Sequence, residues 1–317
     1  MKIAIVGAGG LGGSFGAMLY LNGVDVTLIE IDRRRVDAIT ANGLDILLPD
    51  GSEKNCKIKI TDDPASVGIV DLVQISVKGY HTEVAARNSL PMVGPETYVL
   101  SVQNGLGNLR QIEKSIPKEQ ILGGVTAVSA MPLGLDKVKF NGGIGGVRFG
   151  RFDGKLDSKL EKIAKTMTAA GLETHIIDGD IRVPIWRKLL ANAGNCVAAM
   201  SGFTGNQLLA CAETSKLTAM LANETALVAR SEGLDFAELE DAGTYVLTKC
   251  LPGVKDNKIS MLQDVEAGRR TEIDTLNAEI ANVGAANDVP TPANDIMTLL
   301  IKAREQKMLW DMEAAKK

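Results

Sequence analysis

Lys2-Ile3-Ala4-Ile5-Val6 runs directly into Gly7-Ala8-Gly9-Gly10-Leu11-Gly12, and this junction decides the fold. The apolar run reads as a buried strand, and the glycines occupy the first, third and sixth places of a GxGxxG fingerprint. The first glycine permits a sharp turn, the second lets backbone approach a pyrophosphate, and the third lets a helix pack close against the strand. Leu11, Phe15, Met18 and Leu19 follow at helical spacing. A helix starting here aims its free N–H groups and positive dipole end at phosphates. Gly7, Gly9, Gly10, Leu11 and Gly12 are therefore the expected cofactor-binding residues.

The second strand, Val24–Ile31, carries Glu30 near its end. An acidic residue at this place, ~20 residues past the glycines, accepts hydrogen bonds from the adenosine ribose. It would repel a 2′-phosphate, so NAD(H) is favoured over NADP(H). Arg33-Arg34-Arg35 read as the solvated first turn of a helix capped by Asp32, although an arginine nearby is also what a 2′-phosphate would need.

Outward from this start, short apolar runs alternate with amphipathic stretches through residue 178, the signature of βαβ units and a parallel sheet. Strands are expected at Val70–Val77, Tyr98–Val102, Ile121–Met131, Val138–Phe140, Gly146–Phe149 and Glu173–Ile177. A helix is expected at Leu156–Ala170, and a hairpin at Asp50-Gly51 joining Ile46–Leu48 to Ile58–Ile60. From 179 onward every long segment has helical period: Ile185–Met200, Gln207–Glu232, Phe236–Lys249, Ile259–Ala286 and Ala293–Met312. The expected architecture is an α/β Rossmann dinucleotide-binding domain at 1–178 followed by an all-α substrate and catalytic domain at 179–317. With no low-complexity linker, the two are expected to pack with a cleft between them.

Bulk properties narrow the class. The chain has 317 residues, enough for two cores. It is 45% hydrophobic and 23% charged with net charge −4 and no basic stripe, which argues against nucleic acid as a partner. No run approaches the ~20 apolar residues of a membrane span, and no signal peptide is expected. Cys56, Cys196, Cys211 and Cys250 lack metal-ligand spacing and read as the reduced thiols of a cytoplasmic protein. His81 and His175 are the only histidines, so no metal site is expected. A homodimer is compatible with the helical half, although no stripe demands one.

Polar residues just past the carboxyl ends of parallel strands are placed to meet ligands. Lys78 and Asn104 stand there. In the helical half, Lys188, Asn192 and Asn195 fall at i, i+4 and i+7 among Leu, Ala and Gly, one ammonium and two carboxamides on one stripe. Such a stripe in buried surroundings is costly unless it meets polar partners or a ligand. The segments Ser260-Met261-Leu262-Gln263-Asp264 and Thr271-Glu272-Ile273-Asp274 are too charged to yield a unique catalytic residue from pattern.

Taken in order, the glycine fingerprint, Lys78, Gln103-Asn104-Gly105-Leu106-Gly107, Trp186-Arg187-Lys188-Leu189, Ser260–Asp264 and Thr271–Asp274 resemble the ketopantoate reductase (2-dehydropantoate 2-reductase) family over nearly the whole chain. The resemblance implies NAD(P)H-dependent reduction of ketopantoate to D-pantoate, a step toward pantothenate and coenzyme A. It implies Lys188 as general acid and Glu272 as the active-site acid supporting it. Asn104, Asn192 and Ser260 would bind the 2-oxo acid substrate, with Lys78 and Asn104 near the cofactor; Asn195, which completes the stripe at i+7 where the family's second asparagine usually stands one turn past the first, is expected to bind substrate as well. Two other readings stand beside it: a related NAD-dependent dehydrogenase of another 2-oxo or hydroxy acid, and a non-catalytic dinucleotide sensor.

Overall fold

A computed structural model describes residues 1–143 and 145–315. By its internal contacts the chain forms two units. One comprises Met1–Gln103 with Asn108–Arg182; the other comprises Asn104–Gly107 with the chain from Val183 on.

The first unit is built on twelve strands: β1 (Lys2–Val6), β2 (Asp25–Ile29), β3 (Leu44–Leu47), β4 (Glu53–Cys56), β5 (Lys59–Thr61), β6 (Leu72–Ile75), β7 (Tyr98–Ser101), β8 (Ile121–Thr126), β9 (Ser129–Pro132), β10 (Lys137–Gly142), β11 (Val147–Arg151) and β12 (Thr174–Ile176). Eight of them form the main sheet in the order β12-β11-β8-β7-β6-β1-β2-β5. From β8 to β5 the neighbours are all parallel, and β11 runs antiparallel to β8. Central parallel strands are covered on both faces, which is why β1, β6 and β7 read as continuous apolar runs rather than as alternations. The chain leaves β1 toward β2 and β5, then returns to β6 on the other side of β1. That reversal opens a crevice at the carboxyl ends of β1 and β6.

Two expectations fail in this unit. Ile121–Met131 is not one strand. It divides at Ala127-Val128, where β8 stays in the main sheet and β9 joins a second sheet of order β4-β3-β10-β9. The turn is held by Val128 N–H donating to Thr126 Oγ1 (3.0 Å) and Ala127 N–H donating to the Gly146 carbonyl (2.9 Å). Apolar content is similar on both sides of the turn, so periodicity could not mark it. Likewise the Asp50-Gly51 hairpin joins β3 to β4, not to Ile58–Ile60. Glu53, Lys54 and Asn55 are exposed, so β4 has no apolar signature, and β5 instead extends the main sheet beside β2.

The second unit contains no strand among its described residues. All but the last of its helices are shorter than the sequence periods suggest. Ile185–Met200 is two helices, Arg182–Asn192 and Asn195–Ser201, separated at Ala193-Gly194. Gln207–Glu232 divides at Cys211, whose backbone is extended, into Gly205–Ala210 and Ala212–Ser231. Phe236–Lys249 resolves into a 3-10 turn at Ala237–Leu239, a short helix Ala242–Tyr245 and a π-helical turn Val246–Cys250. Ile259–Ala286 contains two helices, Ser260–Glu266 and Asn277–Ala286, with residues 267–276 between them in turns. The last helix, Pro292–Ala314, follows the Pro290/Pro292 loop. A helical period measures which face is buried; it continues across breaks when successive helices bury the same kind of face. Among the described residues no helix is long and apolar enough to cross a membrane.

Candidate active site

The glycine loop sits where the sheet reverses. Gly7 follows β1 with φ +99°, and a Cβ there would lie 3.0 Å from the Ser76 carbonyl carbon and oxygen. Gly12, on the first turn of the helix Gly10–Leu21, is tighter: a Cβ would stand 2.0 Å from the Gly7 carbonyl oxygen. Gly9 differs, since a Cβ there meets nothing within 4 Å. Its backbone therefore faces open space beside a helix N-terminus that no side chain caps and that has no acidic residue in its first turn. Gly10 packs against β9, with Met131 Cα 2.8 Å from the place of a Cβ. Leu11 is half-buried against the core.

Glu30 closes the far side of the loop. Its carboxylate accepts the Ala8 N–H (3.0 Å) and the Ile31 and Asp32 N–H groups (2.8 and 3.0 Å). Arg35 Nε lies 3.9 Å from the same carboxylate, and Arg35 Nη1 donates to the Leu135 carbonyl (2.8 Å). The other two arginines of the run are engaged as well: Arg33 with Asp37 and Asp62, and Arg34 with Asp32, which also caps the helix Arg33–Asn42 through Arg34 N–H.

Lys78 is half-buried past β6, leading into the 3-10 turn Gly79–His81. Gln103, which the sequence marks only as the start of the Gln103–Gly107 segment and to which it gives no role, ties this rim together. Its Nε2 donates to the Val77 carbonyl (2.7 Å) and Thr82 Oγ1 (2.8 Å), while its Oε1 accepts from Ser101 Oγ (2.9 Å). A polar residue at a strand end followed by Asn-Gly is the available signal, but pattern cannot tell a bracing glutamine from a ligand-facing one.

Asn104 itself groups with the helical unit. The cause is visible at Gly105, where φ is +90° and a Cβ would lie 2.1 Å from the Thr275 carbonyl oxygen. The segment thus lies against the turn that carries Glu272. That turn is compact: the Glu272 carbonyl accepts from the Thr275 and Leu276 N–H groups (3.1 and 3.2 Å). Its flanks are tied to the last helix. Thr271 donates through N–H (2.6 Å) and Oγ1 (2.7 Å) to Glu305, and Asp274 pairs with Lys302 (2.7 Å). Glu272 is therefore presented from a braced turn, not from the long helix expected at Ile259–Ala286.

Lys188 lies on the helix Arg182–Asn192 beside the buried Trp186, Leu189 and Leu190. Its side chain keeps some solvent contact but is crowded by protein, and this loss of hydration lowers its ammonium to about 8, against the opposing attraction of the Glu272 carboxylate. The three-residue stripe expected on one helix is broken after Asn192. Asn195 opens the next helix and is buried, and its Nδ2 donates to Asn192 Oδ1 at 3.4 Å, so the two carboxamides still meet. Asn192 Nδ2 is buried and donates to no described group. A buried amide left in this condition costs about 1–3 kcal/mol, which a ligand acceptor would recover. Ser260 is exposed at the start of the helix Ser260–Glu266. No group of His, Cys, Asp and Glu among the described residues has the arrangement of a metal site.

Family models match in both halves of the chain. The family described as ketopantoate reductase PanE/ApbA matches residues 3–154, and ketopantoate reductase PanE/ApbA C terminal matches residues 180–305. A 2-dehydropantoate 2-reductase of Mesorhizobium japonicum is 30% identical, covering 95% of this chain and 97% of that protein. The structure of D-mandelate dehydrogenase with NADH and anilino(oxo)acetate superposes with a TM-score of 0.87 at 30% identity, covering 97% of this chain and 99% of that one. A PanE/ApbA family ketopantoate reductase from Ralstonia eutropha JMP134 does so at 0.87 and 28%, covering 98% and 100%. A Rossmann sheet with its glycine loop at the reversal point, followed by a helical unit bearing a lysine and carboxamides, defines a nicotinamide-dependent oxidoreductase. Within that class, this chain belongs to the ketopantoate reductase family.

Proposed function

We propose that this protein reduces a 2-oxo acid to the corresponding 2-hydroxy acid, with ketopantoate and D-pantoate as the substrate and product. In this reading residues 1–178 bind the dinucleotide and residues 179–317 bind and protonate the substrate. The observation that carries it is Lys188: an ammonium with its pKa drawn toward neutrality, within the field of Glu272, on the helix that ends at the unpaired Asn192 amide.

The residues present fit a dinucleotide. Gly9 leaves open space for a pyrophosphate beside the free N–H groups of the helix Gly10–Leu21. When bound, the reduced nicotinamide supplies a hydride to the C2 carbonyl carbon. The protein's own part is the proton and the orientation. Lys188 Nζ stabilises negative charge growing on the ketone oxygen and then gives it a proton, so hydride plus proton complete the hydroxyl. Glu272 keeps that lysine charged against desolvation. Asn104, Asn192, Asn195 and Ser260 would hold the substrate carboxylate and hydroxyl, and Lys78 with Asn104 would stand on the nicotinamide side.

Glu30 favours NAD(H). Its carboxylate stands against the glycine loop, and all three nearby arginines already have acidic partners, which supports a site without a cation reserved for a 2′-phosphate. Replacing Glu30 with Gln is expected to shift the NADH-to-NADPH ratio of kcat/KM toward NADPH by about tenfold, the effect of removing one like charge near a phosphate. An unchanged ratio would remove Glu30 from cofactor selection.

The likeness to D-mandelate dehydrogenase favours a second reading, in which a bulkier aryl 2-oxo acid is reduced or its hydroxy acid oxidised. A panel of ketopantoate, phenylglyoxylate and short-chain 2-oxo acids, each with NADH and with NADPH, separates the two by kcat/KM. Ketopantoate is expected to lead; no turnover of any 2-oxo acid would defeat the proposal as a whole. The free cysteines among the described residues fit a reducing, cytoplasmic setting.

A further inference from the structure

The helix break at Ala193-Gly194 is the feature that sequence period missed, and it lies between the two carboxamides of the stripe. A broken helix leaves carbonyls of its last turn without intrahelical donors. The Ala193 carbonyl accepts instead from Asn277 Nδ2 (2.9 Å) and from Cys196 Sγ (3.2 Å). Asn277 is fully buried and begins the helix Asn277–Ala286, just past the turn of Glu272. Its same Nδ2 donates to Asn294 Oδ1 (2.9 Å), and Asn294 Nδ2 donates in turn to Glu224 Oε2 (2.8 Å). Glu224 also accepts the Ala293 and Asn294 N–H groups at the start of the helix Pro292–Ala314 (2.8 and 3.0 Å).

This chain of bonds has a single polarity. The Glu224 carboxylate can only accept, so Asn294 must turn its NH2 toward it and its oxygen toward Asn277. Asn277 must then present its NH2 both to Asn294 and to the Ala193 carbonyl. A packing role alone would be served by any side chain of this size. The arrangement uses the two donors of one amide, oriented by a carboxylate two residues away in the relay, to fix a backbone carbonyl between Asn192 and Asn195.

We infer that Asn277 is a positioning residue for substrate binding: it holds the Ala193 carbonyl so that Asn192, Asn195 and Lys188 keep their mutual geometry at the break. Asn294 and Glu224 set the direction of its amide. The assignment rests on the 2-oxo acid reading above.

Asn277→Asp keeps the shape and replaces the shared NH2 with an oxygen facing two other oxygens. It is expected to lower kcat/KM for ketopantoate about 100-fold, the effect of a displacement of roughly 1 Å at a reacting site. The KM for NADH should stay at the parent value. Asn277→Ser, which retains one hydroxyl donor, should recover part of the loss. Hydrogen exchange supplies a readout independent of turnover: amides of residues 193–197 should exchange faster in the Asp variant, with residues 1–103 unchanged. If Asn277→Asp does not fold, the Ser variant and Glu224→Gln decide the matter by the same two measurements. Folded variants with parent kinetics and parent exchange at 193–197 overturn the inference. Parent protein that reduces no 2-oxo acid defeats the functional reading instead, and exchange still tests whether Asn277 holds the break.

Discussion

Lys188→Ala is expected to lower kcat for 2-oxo acid reduction by about 100- to 10,000-fold, the range that general acid catalysis contributes. NADH binding should be unchanged, because the glycine loop and Glu30, which the reading gives the dinucleotide, lie on other elements and make no use of this side chain. The parent enzyme should also show a pH signature that the variant lacks. Proton donation needs the ammonium, whose pKa lies at about 8 because crowding strips its hydration more than Glu272 restores its charge. Reduction kcat/KM should therefore be level below pH 8 and fall tenfold per pH unit above it. Oxidation of the hydroxy acid needs the neutral amine and should rise through the same region. A Glu272→Gln variant should move this limb to lower pH, since the carboxylate raises the lysine pKa. A Lys188→Ala enzyme with parent kcat, or with the same limb, would assign the proton to another group.

Gly12→Ala and Gly9→Ala should separate folding from cofactor binding within one loop. At Gly12 a Cβ would lie 2.0 Å from the Gly7 carbonyl oxygen, a backbone atom that cannot swing aside. Overpacking of this kind costs about 3 kcal/mol, a Tm fall of roughly 6–12 °C for a domain of this size. At Gly9 the backbone has φ −72° and ψ −163°, allowed for alanine, and a Cβ meets nothing within 4 Å. Gly9→Ala should keep the parent Tm and weaken NADH binding about tenfold or more, because the methyl group enters space that the fingerprint reserves for a pyrophosphate. Calorimetry and NADH titration of the two variants check both statements. A Gly9→Ala protein with parent NADH affinity would move the pyrophosphate away from Gly9.

The glycine loop and the first strand were legible because they are local. Five successive backbone positions and three glycines specify a strand, a turn and a helix start without help from distant residues. Asp32 was similarly readable as a helix start, and it accepts the Arg34 N–H in the first turn of its helix. The candidate site was legible only as a set of residue types. Lys188, Asn192 and Asn195 could be picked out because polar groups stand among Leu, Ala and Gly. Their arrangement could not, because the helix stops at Ala193-Gly194, where the Ala193 carbonyl accepts from an amide 84 residues away at Asn277.

The sequence by itself determined the class of the fold, the place of the glycine loop and the family to which the chain belongs, since each is encoded in contiguous motifs. Tertiary structure decided the rest. It transferred Asn104–Gly107 to the helical unit through the contact of Gly105 with Thr275. It sent β9 to a second sheet and left β8 in the first. It set Glu272 on a turn braced by Glu305 and Lys302. The physical reason is common to all three: hydrophobic period reports that a face is buried, whereas the partner that buries it, and the hydrogen bonds that stop or turn the chain there, come from segments far away in sequence.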